Sequence, residues 1–437
     1  MHVLFVHQNF PAQFGHIASH LAQNLKWPVT FVTNAATGKP PGVEIVQYKT
    51  TGGATAASHF CSRTFENYVW HADAIYHALR DRPDLRPDLI VAHGGLGSAM
   101  FLRELYPDVP AIGLFEYFYR PHDSQSDMTF RHDLGWKVDE QSFLRARSRN
   151  AMLLLELQNC QLGYCPTEFQ RSCLPAEYQA KTRVIFDGIN RAVFNSRGDA
   201  LRSPEARSKA RTIAGINIPP GTKIVTYCSS GFESMRGFDI FMKAAKLICE
   251  QRSDVIFLVA GDDRVVYGGD ANYLNGKTMK QWVLAGDSYD LSRIRFLGMV
   301  PRTDLAEMLA ASDLHMYLTV PFVLSWSMMN AMSCGAVVLG SRTAPVQEMI
   351  TDGQTGLLAD FFSPAEFAEK AVAVLNDPDA YRPIGRAAEA LIERKYSADV
   401  TLPQMVKMYE EARTIKTGLE LPRELAVAAP RQIAKKS

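Results

Sequence analysis

Short apolar runs alternate along the chain with longer stretches whose apolar residues recur every three or four positions, from residue 3 to about residue 414. That rhythm predicts βαβ units built on parallel sheets. In the first half, strands are predicted at 3–6, 29–32, 43–46, 88–92 and 111–115, with helices near 12–25, 63–80, 97–105 and 140–158. Two further strands, 161–164 and 182–186, close this half. Turn residues then interrupt the pattern at Asp187-Gly188-Ile189-Asn190, at Asn195-Ser196-Arg197-Gly198-Asp199 and at Pro219-Pro220-Gly221, which reads as a linker. A second series follows, with strands at 223–228, 255–260, 294–297, 313–318, 336–340 and 356–359. Its helices are predicted near 236–250, 271–285, 303–311, 326–334, 345–351 and 364–376, with two more at about 379–394 and 400–414.

The expected fold class is therefore α/β, with two Rossmann-like doubly wound domains facing a central cleft. The expected boundaries are 1–190, 191–395, a C-terminal helix over 396–416 that packs back on the first domain, and a flexible tail over 417–437. Such sheets bind ligands at the carboxyl ends of their strands, so tandem domains direct attention to the cleft between them.

Composition narrows the picture. A chain of 437 residues with 47% apolar and only 21% charged residues can fill two large cores, which excludes disorder for most of its length. Forty-seven basic against 46 acidic side chains give a net charge of +1, so no global field holds a polyanion, and no nucleic-acid partner is expected. Seven scattered cysteines without CxxC spacing or neighbouring paired histidines predict reduced, mostly buried thiols and no metal site. The opening Met1-His2-Val3-Leu4-Phe5-Val6-His7 resembles a first strand more than a secretion signal, and no apolar run reaches the ~18 residues of a membrane span. A cytoplasmic protein with at most peripheral membrane association is expected.

The segment from Leu318 to Ser341 carries the most chemistry. It reads as a strand end, a turn fixed by Pro321, a short helix starting near Ser325 or Ser327, a stop at Gly335 and a buried strand. A helix N-terminus at the edge of a strand presents free N–H groups and the positive dipole end, which suits a diphosphate. Capping of a packing helix by Ser325 and Ser327 is the plainer alternative. A second strand–turn–helix unit follows at Thr343–Ile350, and a DG turn at Asp352-Gly353 leads to a further strand.

Together with Gly261-Asp262-Asp263, Phe296-Leu297-Gly298 and Ala311-Ser312-Asp313-Leu314, this order resembles the donor half of the family 4 glycosyltransferases of GT-B fold. The first half is similar in Phe5-Val6-His7-Gln8-Asn9-Phe10-Pro11, Ala92-His93-Gly94-Gly95, Phe115-Glu116-Tyr117-Phe118-Tyr119, Pro166-Thr167 and Asp187-Gly188-Ile189. The resemblance covers residues 1–415 and implies a retaining, metal-independent sugar transfer from a nucleoside diphosphate sugar. No further cofactor is implied. The acceptor, a glycan, a lipid-linked sugar or a small molecule, would sit on the first domain, and the product would be a bacterial-type surface glycan or glycoconjugate.

The resemblance implies donor contacts from Ser230, Gly231, Arg236, Gly261, Val323, Leu324, Ser325, Trp326, Ser327 and Asn330. It implies acceptor contacts from Gln8, Asn9, Gln13, His93 and Gly94, with His93, Glu116 and Arg236 as catalytic candidates. The sequence departs from the family at two anchors. The first of two usual basic positions after the opening strand of the second domain is Ser230, and the second of two usual glutamates is Asn330. Val320–Ser327 supplies no carboxylate for the first glutamate. A shell that binds sugar nucleotide or glycan without transfer is the alternative these departures raise. Arg264 and Arg342 are the nearby arginines that would replace a missing cation, with a solvated position expected for Arg264. His93 alone would more often be structural, and Glu116 would equally bond local backbone. Asp262 and Asp263 are too isolated to hold Mg²⁺. Met328, Met329 and Met332 read as core filler, and Arg80, Arg82 and Arg86 as a solvated loop. The run Arg145-Ala146-Arg147-Ser148-Arg149 lies on a helix, where it forms an exposed face or meets a phosphorylated acceptor or lipid surface.

Overall fold

The computed structural model of the chain describes residues 1–96, 99–123 and 126–417. Its first sheet contains β1 (Val3–Val6), β2 (Val29–Thr33), β3 (Val43–Gln47), β4 (Leu89–His93), β5 (Ala111–Leu114), β6 (Leu162–Cys165) and β7 (Thr182–Val184). They run in parallel in the order β3-β2-β1-β4-β5-β6-β7. The second sheet contains β8 (Lys223–Gly231), β9 (Val255–Asp262), β10 (Ile294–Gly298), β11 (Leu314–Tyr317), β12 (Val338–Ser341) and β13 (Leu357–Ala359). Its parallel order, β10-β9-β8-β11-β12-β13, repeats the first.

Continuous apolar strands such as Val3-Leu4-Phe5-Val6 are fully buried, because helices cover both faces of a parallel sheet. In each sheet the strand order reverses beside the first strand, between β1 and β4 and between β8 and β11. Those two switch points open a crevice at the strands' carboxyl ends, and the chain places His7, His93, Arg236 and Ser325 there.

The predicted elements match the structure closely, with instructive exceptions. The stretch predicted at 271–285 is helical only over Met279–Gly286, because Asn275 and Gly276 take positive φ and Thr278 with Gln281 forms a capping box. The segment predicted at 345–351 is a single turn, Ala344–Gln347. The helix predicted at 97–105 is reduced to Leu102–Leu105, and residues 97 and 98 lie outside the described residues.

The expected linker is not a free connection. Residues 191–222 carry short helices and the hairpin Arg211–Ile213/Ile216–Ile218, and they bury Phe194 against the second domain. Arg207, also buried, pairs with Asp313 at 2.9 Å. Turn residues marked the break in the repeat, but these buried side chains bind the segment to the second core. The helix α8 (Ala398–Arg413) returns to the first domain, packing Leu402, Met405, Met408 and Tyr409 with Phe5, Phe14 and Phe31. The tail expected beyond it lies, from residue 418, outside the described residues.

Candidate active site between the lobes

On the first lobe, His93 ends β4 and Glu116 follows β5, so adjacent parallel strands deliver both side chains to one edge. His93 Nε2 lies 3.2 Å from Glu116 Oε2, and the other carboxylate oxygen accepts from Gln13 Nε2 at 2.7 Å. His93 Nδ1 is 3.0 Å from the Gly94 carbonyl, which fits an Nδ1–H tautomer. Burial works against the imidazolium of His93, yet the neighbouring Glu116 carboxylate outweighs it and raises the pKa. Burial likewise opposes the Glu116 charge, and His93 overcomes it and holds Glu116 below the usual range. His7 stands edge-on to His93 with ring centroids 5.0 Å apart; burial, helped by His93, pushes it down to about 3. Two adjacent histidines are thus shifted in opposite directions, His93 up and His7 down.

On the second lobe, Arg236 is buried at the turn into α4 (Phe238–Gln251). Its Nη1 donates to Thr319 Oγ1 at 2.7 Å and to the Val323 carbonyl at 2.9 Å. Tyr267 and Phe322 lie 5.2 and 6.0 Å from the guanidinium, providing an aromatic wall. Glu233, three residues earlier, accepts from the backbone N–H groups of Val266, Tyr267 and Gly268, which fixes the loop that carries Tyr267.

The predicted short helix is α5 (Trp326–Ser333), with Ser325 as N-cap accepting from the Ser327 N–H. The Ser325 N–H is itself taken by the Tyr317 hydroxyl at 2.9 Å. Trp326 reaches across to the first lobe, where its Nε1 donates to Asp187 Oδ2 at 2.8 Å. Burial, with the Glu116 charge adding, pushes Asp187 up to about 7. Two more contacts join the lobes: the Tyr117 hydroxyl donates to the Pro321 carbonyl, and Glu348 accepts from the backbone N–H groups of Glu168 and Phe169.

Of the predicted residues, Gln13, His93 and Glu116 form one bonded cluster, and Trp326 bonds Asp187, whose carboxyl feels the Glu116 and His93 charges. Arg236 and Val323 form a second cluster beside it. Asn330 is nearly enclosed, and among the described residues no protein group bonds its side-chain amide. Ser230 is exposed at an irregularity of β8. Gly231 and Gly261 admit close backbone packing: a Cβ there would approach the carbonyl oxygens of Arg264 and Ser229 to 2.4 Å. Gly94 is similarly required by the Phe115 ring. Leu324 is core, Ser327 contacts Ser325, Gln8 bonds the Leu96 carbonyl, and Asn9 is exposed with its N–H on His7. Arg264 is solvated and pairs with Asp262, while Arg342 pairs with Glu366, so neither replaces the cation absent at Ser230. Met328, Met329 and Met332 are fully buried core residues.

Sequence reasoning gave no role to Asp187, Tyr267, Phe322 or Glu233. For Glu233 the signal was its place in the Arg236 loop; for the aromatics, only the packing reveals it. A cavity of about 730 Å³ opens between the lobes, beginning at Phe322 and extending along the first lobe.

Residues 26–194 match the family described as Glycosyl transferase family 4 group, and residues 209–391 match Glycosyl transferases group 1. Over 127 residues the chain is 31% identical to the N-acetyl-alpha-D-glucosaminyl L-malate synthase of Bacillus anthracis, covering 29% of this chain and 33% of that one. Over 189 residues it is 26% identical to a D-inositol 3-phosphate glycosyltransferase of Pseudarthrobacter chlorophenolicus, covering 43% and 42% of the two chains. The chain thus spans a third to under half of these curated relatives' length. Sucrose-phosphate synthase from Thermosynechococcus elongatus superposes with a TM-score of 0.69 at 17% identity, over 94% of this chain and 98% of that one. Anabaena HepE in complex with UDP-glucose superposes with a TM-score of 0.65 at 16% identity, over 94% and 100%. With both halves matched in order and the two-lobed architecture shared, the chain belongs to the family 4 glycosyltransferases of GT-B fold.

Proposed function

We propose that the protein transfers a sugar from a nucleoside diphosphate sugar, held on the second lobe, to an acceptor hydroxyl on the first, with retention at the anomeric carbon and without a metal. The observation that carries this reading is the junction at Asp187. Its carboxylate accepts from the donor-side Trp326 and lies within electrostatic reach of Glu116 and His93, so donor and acceptor candidates stand on either side of it. The solved HepE complex holds UDP-glucose on the same fold, which supports a nucleotide sugar as the donor class.

In this reading the buried Arg236 and the N-terminus of α5 stabilise the negative charge that develops as the diphosphate leaves. Donors already fixed in a site with little water cost no reorganisation when that charge appears. The bond between the anomeric carbon and the diphosphate oxygen breaks, the acceptor oxygen bonds that carbon, and the hydroxyl proton departs with the diphosphate. The His93–Glu116 pair orients a sugar hydroxyl by donating or accepting at the cleft, and Asn330 offers an unengaged amide to a donor hydroxyl.

The test is turnover. The protein is incubated with UDP-, GDP-, ADP- and dTDP-sugars, with and without EDTA, and nucleoside diphosphate release is followed. Release that is unchanged by EDTA is the expected result, and the anomeric configuration of the product, read by NMR, checks retention. Saturable binding without release would replace transfer by the binding-shell alternative.

A further inference from the structure

The cavity between the lobes is lined mainly by the first lobe, and its lining includes two arginines of α3 (Glu140–Asn159), Arg145 and Arg149. Four residues apart on one helix, they share a face. Arg145 Nη2 donates to Thr64 Oγ1 at 3.0 Å, and its buried Nε has no hydrogen-bond partner. The Arg149 guanidinium lies 4.0 Å from the Tyr119 ring centroid. Among the described residues, neither arginine has a carboxylate within ion-pair distance.

A third arginine in the same lining behaves differently. Arg131 is bound by Asp133 at 2.8 Å and by Asp239 at 2.7 Å, so its charge is spent inside the protein. The carboxylates that face the cavity are also engaged. Asp127 shares the one Tyr117 O–H with the Pro321 carbonyl, and burial pushes it up to about 6; Asp270 accepts from Ser234 N and Oγ at 2.6 Å each. Among the described residues, Arg145 and Arg149 thus face the space with no carboxylate bonded to either, although the Asp127 charge acts on Arg149 from the same wall.

The rest of the wall is aromatic. Trp136 and Tyr273 stack with centroids 4.8 Å apart and planes inclined by 6°, one from each lobe. At the inner end, Tyr267 and Phe322 line the cavity and also flank Arg236. Aromatic rings suit the C–H faces of a sugar, and planar guanidinium forks suit the paired oxygens of a phosphate or carboxylate.

We propose that this cavity is the acceptor subsite and that its occupant is a saccharide bearing an anionic group, a phosphate ester or a carboxylate, held by Arg145 and Arg149. The assignment of the occupant as acceptor rests on the transfer reading; the preference for an anionic sugar rests on the cavity alone.

Binding without donor is therefore the test. Equilibrium binding of glucose, glucuronate, glucose 6-phosphate and inorganic phosphate is measured by saturation-transfer NMR and calorimetry on the full chain. The anionic sugars are expected to bind at least about tenfold tighter than glucose, with the advantage falling as salt rises. The larger gain identifies the preferred anion, phosphate or carboxylate. R145Q/R149Q should abolish the preference, and R145K/R149K should restore part of it, which guards against a variant that merely unfolds. Equal binding of glucose and the anionic sugars, binding of inorganic phosphate alone, or a preference that survives in R145Q/R149Q would each overturn the inference. Intact anionic preference in a protein that releases no nucleoside diphosphate would overturn the transfer reading and leave the cavity's specificity standing.

Discussion

Trp326 and Asp187, 139 residues apart in sequence, meet at 2.8 Å where the second lobe's donor-side helix touches the first lobe. The indole N–H is a single donor on a carboxylate that burial has raised to about 7. This contact fixes the position of the α5 tip against the first lobe.

Because the folded protein raises the Asp187 pKa above the ordinary carboxylate value, the native state binds its proton more tightly than the unfolded chain does. Stability from this group is therefore greatest at low pH and declines as pH rises from about 4 to 7, by at most about 1.4 kcal/mol per unit. D187N should lack this component, so the stability difference between variant and wild type should shift in the variant's favour across that window. Urea unfolding at half-unit pH intervals checks it, and parallel curves would show that Asp187 titrates normally.

Removing the Arg236 guanidinium should act on the transition state. R236A is expected to lower kcat and kcat/KM together by about a hundredfold, the scale found when one preorganised charge-stabilising donor is lost. Steady-state nucleoside diphosphate release measures this, with the unfolding midpoint as control for the lost bonds to Thr319 and Val323. Wild-type rates would remove Arg236 from the site.

His93 owes its raised pKa to Glu116, since burial alone acts in the opposite direction. In E116Q the imidazole should titrate below the ordinary histidine value instead of above it. Nitrogen-15 NMR of the ring in both proteins reads the reversal directly, and an unmoved titration would disprove the coupling.

Among the described residues no protein group engages the Asn330 amide, which stands where the resemblance implies a glutamate. N330E should tighten donor binding by about tenfold if a ribose or sugar hydroxyl faces it, because a charged acceptor makes the stronger hydrogen bond. Calorimetric titration with the best donor from the panel measures the gain. Unchanged or weaker binding would mean a pocket rebuilt around the amide.

Much of this protein was legible in the chain itself. The alternation of fully apolar strands with helical-period segments determined two parallel sheets, because a strand covered on both faces needs apolar residues at every position, as in Val3–Val6. Strand ends followed from the same pattern, and with them the placement of His93, Glu116, Arg236 and Ser325 at the sheets' carboxyl edges. The capping serine of α5 and the methionine core behind it were likewise local, readable from neighbours a few residues away. What only the tertiary structure decided were contacts between residues distant in sequence: Asp187 with Trp326, Glu348 with Glu168 and Phe169, and Arg236 with Tyr267 and Phe322. Arg131, Arg145 and Arg149 show the difference most clearly. All are arginines of the first lobe, yet Arg131 meets Asp133 and, from the other lobe, Asp239, whereas Arg145 and Arg149 face a cavity and, among the described residues, bond no carboxylate. Which charges are neutralised depends on how the lobes meet, and spacing along one chain carries no record of that geometry.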